Sequence, residues 1–301
     1  MPNRLKIRIF KDLVSTKVMF LCAAVVILLF ILIMIMLIAK SSFVISEKSI
    51  WELLFSSKWD PENYIFGFFP AVVGTLAVTV FSMVIAIPVS LLSAVLIAEY
   101  TPQRWEKILS SFIDVLAGIP SVVFGLCALL YLAPFISTIT EKLLNIETTG
   151  MNILTASITL SIMVFPIIIS LTIESLQAVP VELREVSLSL GATKWQTVKK
   201  TLFRAAGPGI ISAVLLGFGR AFGETMAVAM IIGNKNQIPG SIFSAGQTLP
   251  SLIVSSFGEM MSIPIQQSAL IFVALTLFII VTVTNTIAKI INTKLANKWR
   301  Y

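Results

Sequence analysis

Long apolar runs separated by short polar segments dominate this chain. Each run exceeds the roughly 20 residues that a helix needs to cross the hydrocarbon core of a bilayer. The runs cover 18–39, 67–98, 115–140, 150–173, 205–232 and 260–288. The pattern predicts an all-α membrane protein with six transmembrane helices, in which 18–39 precedes a core of five helices within 67–294.

One segment between the fourth and fifth runs is strongly polar: 180–204, with the sequence PVELREVSLSLGATKWQTVKKTLFR. Pro180 suits the first position of a helix. The apolar residues that follow repeat at spacings of three and four on one helix face: Leu183, Val186 and Leu190. Gly191 is typical of a left-handed helix end, and Thr193 with Gln196 forms the capping box of a second helix. The segment therefore predicts a helix–turn–helix at the membrane surface.

The distribution of Lys and Arg between the connecting segments predicts the orientation. With the N-terminus inside, 16 of these residues lie on the inner side and 5 on the outer side. Positive charge favours the cytoplasmic side of a membrane. Both termini, the basic segment 1–17 and the segment 180–204 are therefore expected in the cytoplasm.

The composition excludes several other classes of function. Residues are 57% hydrophobic, only 12% are charged, and histidine is absent, so neither a metal site nor a catalytic site is expected. The net charge of +7 suits anionic lipid headgroups as partners and gives no support to nucleic-acid binding. Cys22 and Cys127 fall inside apolar runs and are expected to act as small apolar residues. No phosphate-binding Gly-x-x-x-x-Gly-Lys motif occurs, so we expect no cofactor in this chain, and any use of ATP is expected to come from a partner subunit.

The fifth run contains two charges in a glycine-rich context, Gly217-Phe-Gly-Arg-Ala-Phe-Gly-Glu224. A charge within a membrane span is costly and usually faces the interior or a transport pathway. The forked guanidinium of Arg220 matches two oxygens of a tetrahedral oxyanion. Glu224 follows one helical turn later and is expected to pair with Arg220 when no anion is bound. A purely structural ion pair between helices is the alternative interpretation.

Two further segments carry helix-breaking residues. The stretch 233–259 is mostly uncharged but interrupted by proline and glycine, which favours a re-entrant cover over the bundle; an exposed loop is the alternative. Gly118 and Pro120 interrupt the third run, where they form either a packing kink or a hinge that lines a cavity.

The polar segment resembles the EAA loop of ABC importer permeases. Glu185 is followed by Val186 and Ser187, then by Gly191 after three residues and by Thr201 after nine more. In that family this loop is the coupling helix that sits in a groove of the ATPase subunit. The resemblance implies an ATPase-coupling surface at these positions: Glu182, Glu185, Leu190, Gly191 and Ala192. An ordinary cytosolic helical hairpin is the alternative.

The segment from Gly219 to Val228 is similar to the signature of the phosphate-specific permeases, PstC and PstA, and 246–249 is closer to PstC. This resemblance implies the type I ABC importer permease fold in a bacterial inner membrane, with Arg220 and Glu224 on a phosphate path. It implies as partners a PstA-like second permease, two PstB-like ATPase subunits and an external phosphate-binding protein. A permease for sulfate, molybdate or tungstate and a secondary transporter without an ATPase are the competing hypotheses.

Overall fold

The computed structural model describes residues 2–298, and the side chains of residues 11–294. The first helix, α1, covers Pro2–Glu47 without interruption, so the predicted span 18–39 is the middle of a longer helix. A short helix α2, Ile50–Phe55, and a two-stranded antiparallel hairpin follow. The hairpin pairs β1, Trp59–Asp60, with β2, Ile65–Phe66. Helix α3, Phe69–Val95, then continues into a π-helical turn at Leu96–Tyr100.

The third apolar run does not form a helix that begins at residue 115. An amphipathic helix, α4, covers Gln103–Gly118 and includes the first residues of this run. It ends at Gly118 because Pro120 lacks an N–H group and holds Ile119 in an extended conformation. Helix α5, Ser121–Cys127, a π-helical turn at Ala128–Leu132 and helix α6, Ala133–Leu144, then form one continuous apolar segment. The span that was predicted at 115–140 is therefore Ser121–Leu144.

The polar segment follows α7, Ile153–Gln177, and contains three short helices. They are α8, Val181–Ser189; α9, Lys194–Thr197, which runs into a π-helical turn at Val198–Leu202; and α10, Phe203–Ala205. Pro180 is the capping residue before α8 and not its first helical residue, so that boundary differs from the prediction by one position.

The fifth apolar run is broken twice and is not a single helix over 205–232. The chain bends by 76° where α10 meets α11, Gly207–Gly223, because Pro208 cannot continue the hydrogen-bond ladder. A second break at Glu224 separates α11 from α12, Met226–Ile231. Helices α13, Leu249–Met260, and α14, Pro264–Lys298, complete the described fold.

Helix α7 lies at the centre of the bundle. Its buried face, which includes Leu160, Val164 and Ile168, packs against Val78 of α3 and Val228 of α12. Among the described residues, five helical segments are long and apolar enough to span a membrane, and the number is six if the bent pair that contains α11 counts as one span. This agrees with the predicted number of spans.

The segment between α12 and α13 is packed into the bundle. Residues 246–252 are buried, and the Thr75 hydroxyl accepts a hydrogen bond from Leu249 N at 2.8 Å. Gly74 lies against the Gln247 carbonyl so closely that a Cβ there would overlap it. The exposed-loop interpretation is therefore wrong for 246–252, and the predicted re-entrant cover agrees with this packing.

Candidate functional site

The first candidate site is the hairpin formed by α8–α10, which we call the coupling hairpin. Gly191 ends α8 with φ +83°, a left-handed conformation that suits glycine. The Thr193 hydroxyl accepts a hydrogen bond from Gln196 N, and the Gln196 side chain accepts one from Thr193 N, which completes the capping box. Both predicted signals are confirmed, and they fix the angle between α8 and α9.

The coupling hairpin exposes an open groove of about 440 Å³ that is lined by both apolar and polar residues. Its lining includes the apolar face that the sequence predicted, together with the turn: Leu183, Val186, Leu190, Gly191 and Ala192. The Leu190 side chain is 83% exposed. Glu182 and Glu185 lie on the exposed part of α8 beside the groove and are not part of its lining. Exposed apolar surface bordered by polar groups is typical of a protein-binding site.

The opposite side of the coupling hairpin is anchored to the helix bundle. A buried cluster joins the end of α3, the end of α7 and the hairpin: Val95, Leu176, Val179, Val198, Leu202 and Ala206. Within the hairpin, the Ser187 and Thr197 hydroxyls lie 3.0 Å apart and tie α8 to α9. The exposed hairpin is therefore connected to α3 and α7 through packed side chains.

Arg184 strengthens this anchor through four polar contacts. Its Nη2 donates to Glu99 Oε1 at 2.8 Å and to the Leu176 carbonyl at 2.7 Å, and its Nε lies 3.3 Å from the same carboxylate oxygen. Its Nη1 donates to the Val179 carbonyl at 2.7 Å. Within the described part of the chain this is the only ion pair. The sequence did not predict this contact, because the two residues are 85 positions apart and Glu99 lies outside the polar segment 180–204.

The second candidate site is a cavity of about 550 Å³ between α11 and α14, which we call the Arg220 cavity. Its polar lining consists of Ser212, Arg220, Asn285, Lys289 and Asn292. Arg220 is exposed in the single chain, and it forms no ion pair with another described residue. Among the side chains that the structure describes, residues 11–294, the cavity is lined by two cations and by no carboxylate. Asn285, Lys289 and Asn292 had not been identified from the sequence, although they are spaced by four and three residues.

The predicted pairing of Glu224 with Arg220 is wrong for this structure. A contact between residues four apart requires a continuous helix. Helix α11 ends at Gly223, and Glu224 adopts an extended conformation with φ −69° and ψ 124°. Its Oε1 instead accepts a hydrogen bond from Ala227 N at 3.4 Å, at the start of α12. The Arg220 guanidinium thus stays available to a ligand.

An α-helical membrane bundle with a broken, charged span and an anchored, exposed coupling hairpin defines the membrane subunit of a transporter. The family model for the binding-protein-dependent transport system inner membrane component matches residues 86–300. The chain belongs to this family, whose permeases work with ATPase and substrate-binding partners, and it is a multi-pass inner membrane protein.

The relatives are transport permeases. The chain is 39% identical over 220 residues to the probable ABC transporter permease protein YqgH of Bacillus subtilis, covering 72% of this chain and 70% of the relative. It is 33% identical over 258 residues to the phosphate transport system permease protein PstC of Xylella fastidiosa, covering 81% and 79%. The PstC protein of Haemophilus influenzae is 32% identical over 256 residues, with coverage of 80% and 81%.

Solved structures confirm the type I ABC importer permease fold. Inward-facing forms of the MetNI methionine ABC transporter match with a TM-score of 0.59 and 20% identity, covering 79% of this chain and 99% of the matched chain. A bacterial transporter for the polysaccharide alginate matches with a TM-score of 0.52 and 17% identity, covering 74% and 79%. At these identities the likeness concerns the fold alone.

Proposed function

We propose that this chain is the permease subunit through which an ATP-driven importer passes inorganic phosphate into the cell. The observation that carries the proposal is the guanidinium of Arg220, which lines a cavity within a membrane span and forms no ion pair with a described residue. A buried or membrane-embedded cation without a carboxylate partner is costly unless it serves a ligand. The guanidinium fork suits two oxygens of a tetrahedral oxyanion. The names of the PstC relatives support phosphate as that anion.

The coupling hairpin supports the part of the proposal that concerns ATP. We assign Glu182, Glu185, Leu190, Gly191 and Ala192 to the surface that contacts a separate ATPase subunit. Leu190 has the most exposed large apolar side chain among the described residues, and Glu182 and Glu185 are exposed on the same short helix. The expected complex contains a PstA-like second permease, two PstB-like ATPase subunits and an external phosphate-binding protein. In this arrangement both chain termini face the cytoplasm, and membrane lipid covers the remaining apolar surface.

Glu224 is assigned to the phosphate path beside Arg220. Its carboxylate stands at the break between α11 and α12, within the same span as the guanidinium. A carboxylate there accepts a hydrogen bond from a protonated phosphate, whereas sulfate carries no proton at neutral pH. This difference favours phosphate over sulfate.

The test is uptake of radiolabelled phosphate by cells that lack their own phosphate permease and express the whole complex. Loss of one partner from a desolvated charge pair costs roughly 2–5 kcal/mol, so Arg220→Ala is expected to lower uptake by about 30-fold or more. Arg104→Ala is the matched control, since Arg104 is exposed on α4 and outside the cavity. Normal uptake by an assembled Arg220→Ala complex would refute the proposal.

Two further measurements separate the competing functions. Phosphate supplied through the binding protein should stimulate ATP hydrolysis by the purified complex, and sulfate should not. Equal stimulation by both anions removes the claim of specificity. Phosphate uptake by vesicles that contain this chain alone, driven by an ion gradient, would instead favour a secondary transporter.

A further inference from the structure

Lys289 brings a second cation to the Arg220 cavity, on the opposite wall. It belongs to α14, where Asn285, Lys289 and Asn292 are spaced by four and three residues and so share one face. The apolar run that contains most of α14 ends at residue 288, so Asn285 lies within it and Lys289 and Asn292 lie at its cytoplasmic end. A stripe of polar side chains on one face of such a helix is unfavourable toward lipid, and this face meets a pathway or a protein neighbour by default.

Helices α11 and α14 contact each other at both ends of this polar stripe. A Cβ on Gly219, the residue before Arg220, would lie 3.4 Å from Asn285 Oδ1. Seven residues along each helix, Asn292 Nδ2 donates a hydrogen bond to Ser212 Oγ at 2.6 Å. Lys289 lies between these two contacts, about 6 Å from Asn285 along the axis of α14. The chain direction places it on the side of the coupling hairpin, since α11 begins at Gly207 next to α10.

Some polar groups of the stripe have no hydrogen-bond or ion-pair partner among the described residues. Lys289 forms no ion pair with any described residue, and Asn292 Oδ1 is buried without a hydrogen-bond partner among them. Buried polar atoms without a partner are rare in native proteins and call for an explanation. A merely interfacial lysine that extends toward lipid headgroups would not require two asparagines on the same face.

We propose that Lys289, flanked by Asn285, forms a second contact for the transported oxyanion, between Arg220 and the cytoplasm. The anion leaves the Arg220 guanidinium, is received by the Lys289 ammonium and then enters water. Lysine suits this position nearer the cytoplasm because its ammonium is a hydrated point charge, which does not bind two oxygens in a bidentate way as a guanidinium does. The inference rests on the proposed function, because it concerns the path of the same anion.

The first test is phosphate uptake by the whole complex with Lys289→Gln, compared with Lys294→Gln. Lys294 lies on the same helix and outside the Arg220 cavity, so its replacement changes the charge equally. Loss of a charged hydrogen bond in a partly hydrated site predicts a roughly tenfold lower uptake rate for Lys289→Gln. Lys294→Gln is expected to stay within about twofold of the unmodified complex. Equal effects of the two variants would overturn the proposal.

A charge-replacement experiment excludes a purely structural role. Cys22 and Cys127 are first replaced by alanine, and Lys289→Cys is then treated with aminoethyl or sulfonatoethyl methanethiosulfonate. The aminoethyl group is expected to restore at least half of the uptake, and the sulfonatoethyl group is expected to restore none. Restoration by both reagents, or by neither, contradicts a role for the positive charge.

Asn285→Asp provides a variant of unchanged size in case Lys289 variants do not assemble. The new carboxylate competes with the anion for both cations, so uptake should fall while the amount of purified complex stays constant. Unchanged uptake would count against the second contact. Normal uptake by Arg220→Ala refutes the proposed function itself, whereas loss with Arg220→Ala and normal uptake with Lys289→Gln refutes only the present inference.

Discussion

The contact of Arg184 with Glu99 is the most specific target for testing how the coupling hairpin is anchored. Arg184→Ala leaves the Glu99 carboxylate, whose side chain is only 10% exposed, without its cation. It also removes a donor from the Leu176 and Val179 carbonyls. Breaking a fully buried ion pair costs roughly 3–5 kcal/mol. Because Arg184 is 21% exposed, we expect about 3 kcal/mol for this site.

This loss should be visible in thermal unfolding of the purified chain in detergent. A loss of 3 kcal/mol corresponds to a melting temperature about 5–10 °C lower for a domain of this size. Arg184→Lys should fall in between, since lysine keeps the charge and loses the fork. Arg204→Ala is the control, because Arg204 is exposed and forms no ion pair with a described residue.

A double-mutant cycle distinguishes the ion pair from independent effects. If the two side chains act together, Glu99→Ala combined with Arg184→Ala should cost little more than Arg184→Ala alone. Fully additive losses, or a shift below about 2 °C for Arg184→Ala, would contradict the proposed anchor. In the whole complex, the same variant should hydrolyse more ATP for each phosphate transported.

Two glycines give further predictions. Gly191→Ala should destabilise the coupling hairpin by about 1–2 kcal/mol, because the left-handed backbone at this position disfavours a Cβ. The melting temperature of the purified chain measures this loss. Gly240→Ala is the control and should be neutral, because the space around Gly240 is open and its φ is not left-handed. Gly74→Ala should lower the yield of folded chain in membranes, because its Cβ overlaps the Gln247 carbonyl and such overpacking typically costs about 1–3 kcal/mol. Gly258→Ala has no atom within 4 Å and should not lower the yield, and equal yields for the two variants would refute the packing argument.

Local signals made much of the fold predictable. The apolar runs located the spans because length and hydropathy suffice for membrane helices. Gly191 and the Thr193–Gln196 capping box predicted the coupling hairpin because both act over a few neighbouring residues. The start of the third span was misplaced because hydropathy does not register the break that Pro120 imposes on an apolar stretch.

Features that depend on long-range contacts were not predictable from the sequence. The predicted pairing of Glu224 with Arg220 assumed an unbroken helix. The helix breaks after Gly223, and no proline near this position indicates the break. Arg184 meets Glu99 only because α3 and α7 end side by side. The approach of Asn285 to Gly219 likewise depends on how α11 and α14 cross, which no local pattern specifies.

The pairing of α1 with α14 bears on the order in which the protein assembles during synthesis. Phe30 contacts Phe278 with tilted rings whose centroids are 4.9 Å apart. The Ser268 hydroxyl inserts into the ladder of α1, where it donates to the Lys40 carbonyl and accepts from Val44 N. These partners are separated by more than 220 positions, so α1 leaves the ribosome long before its neighbour exists. It can wait in lipid as a lone helix, since an undocked helix satisfies its backbone groups internally, and its docking onto α14 closes the bundle as a late step of biogenesis.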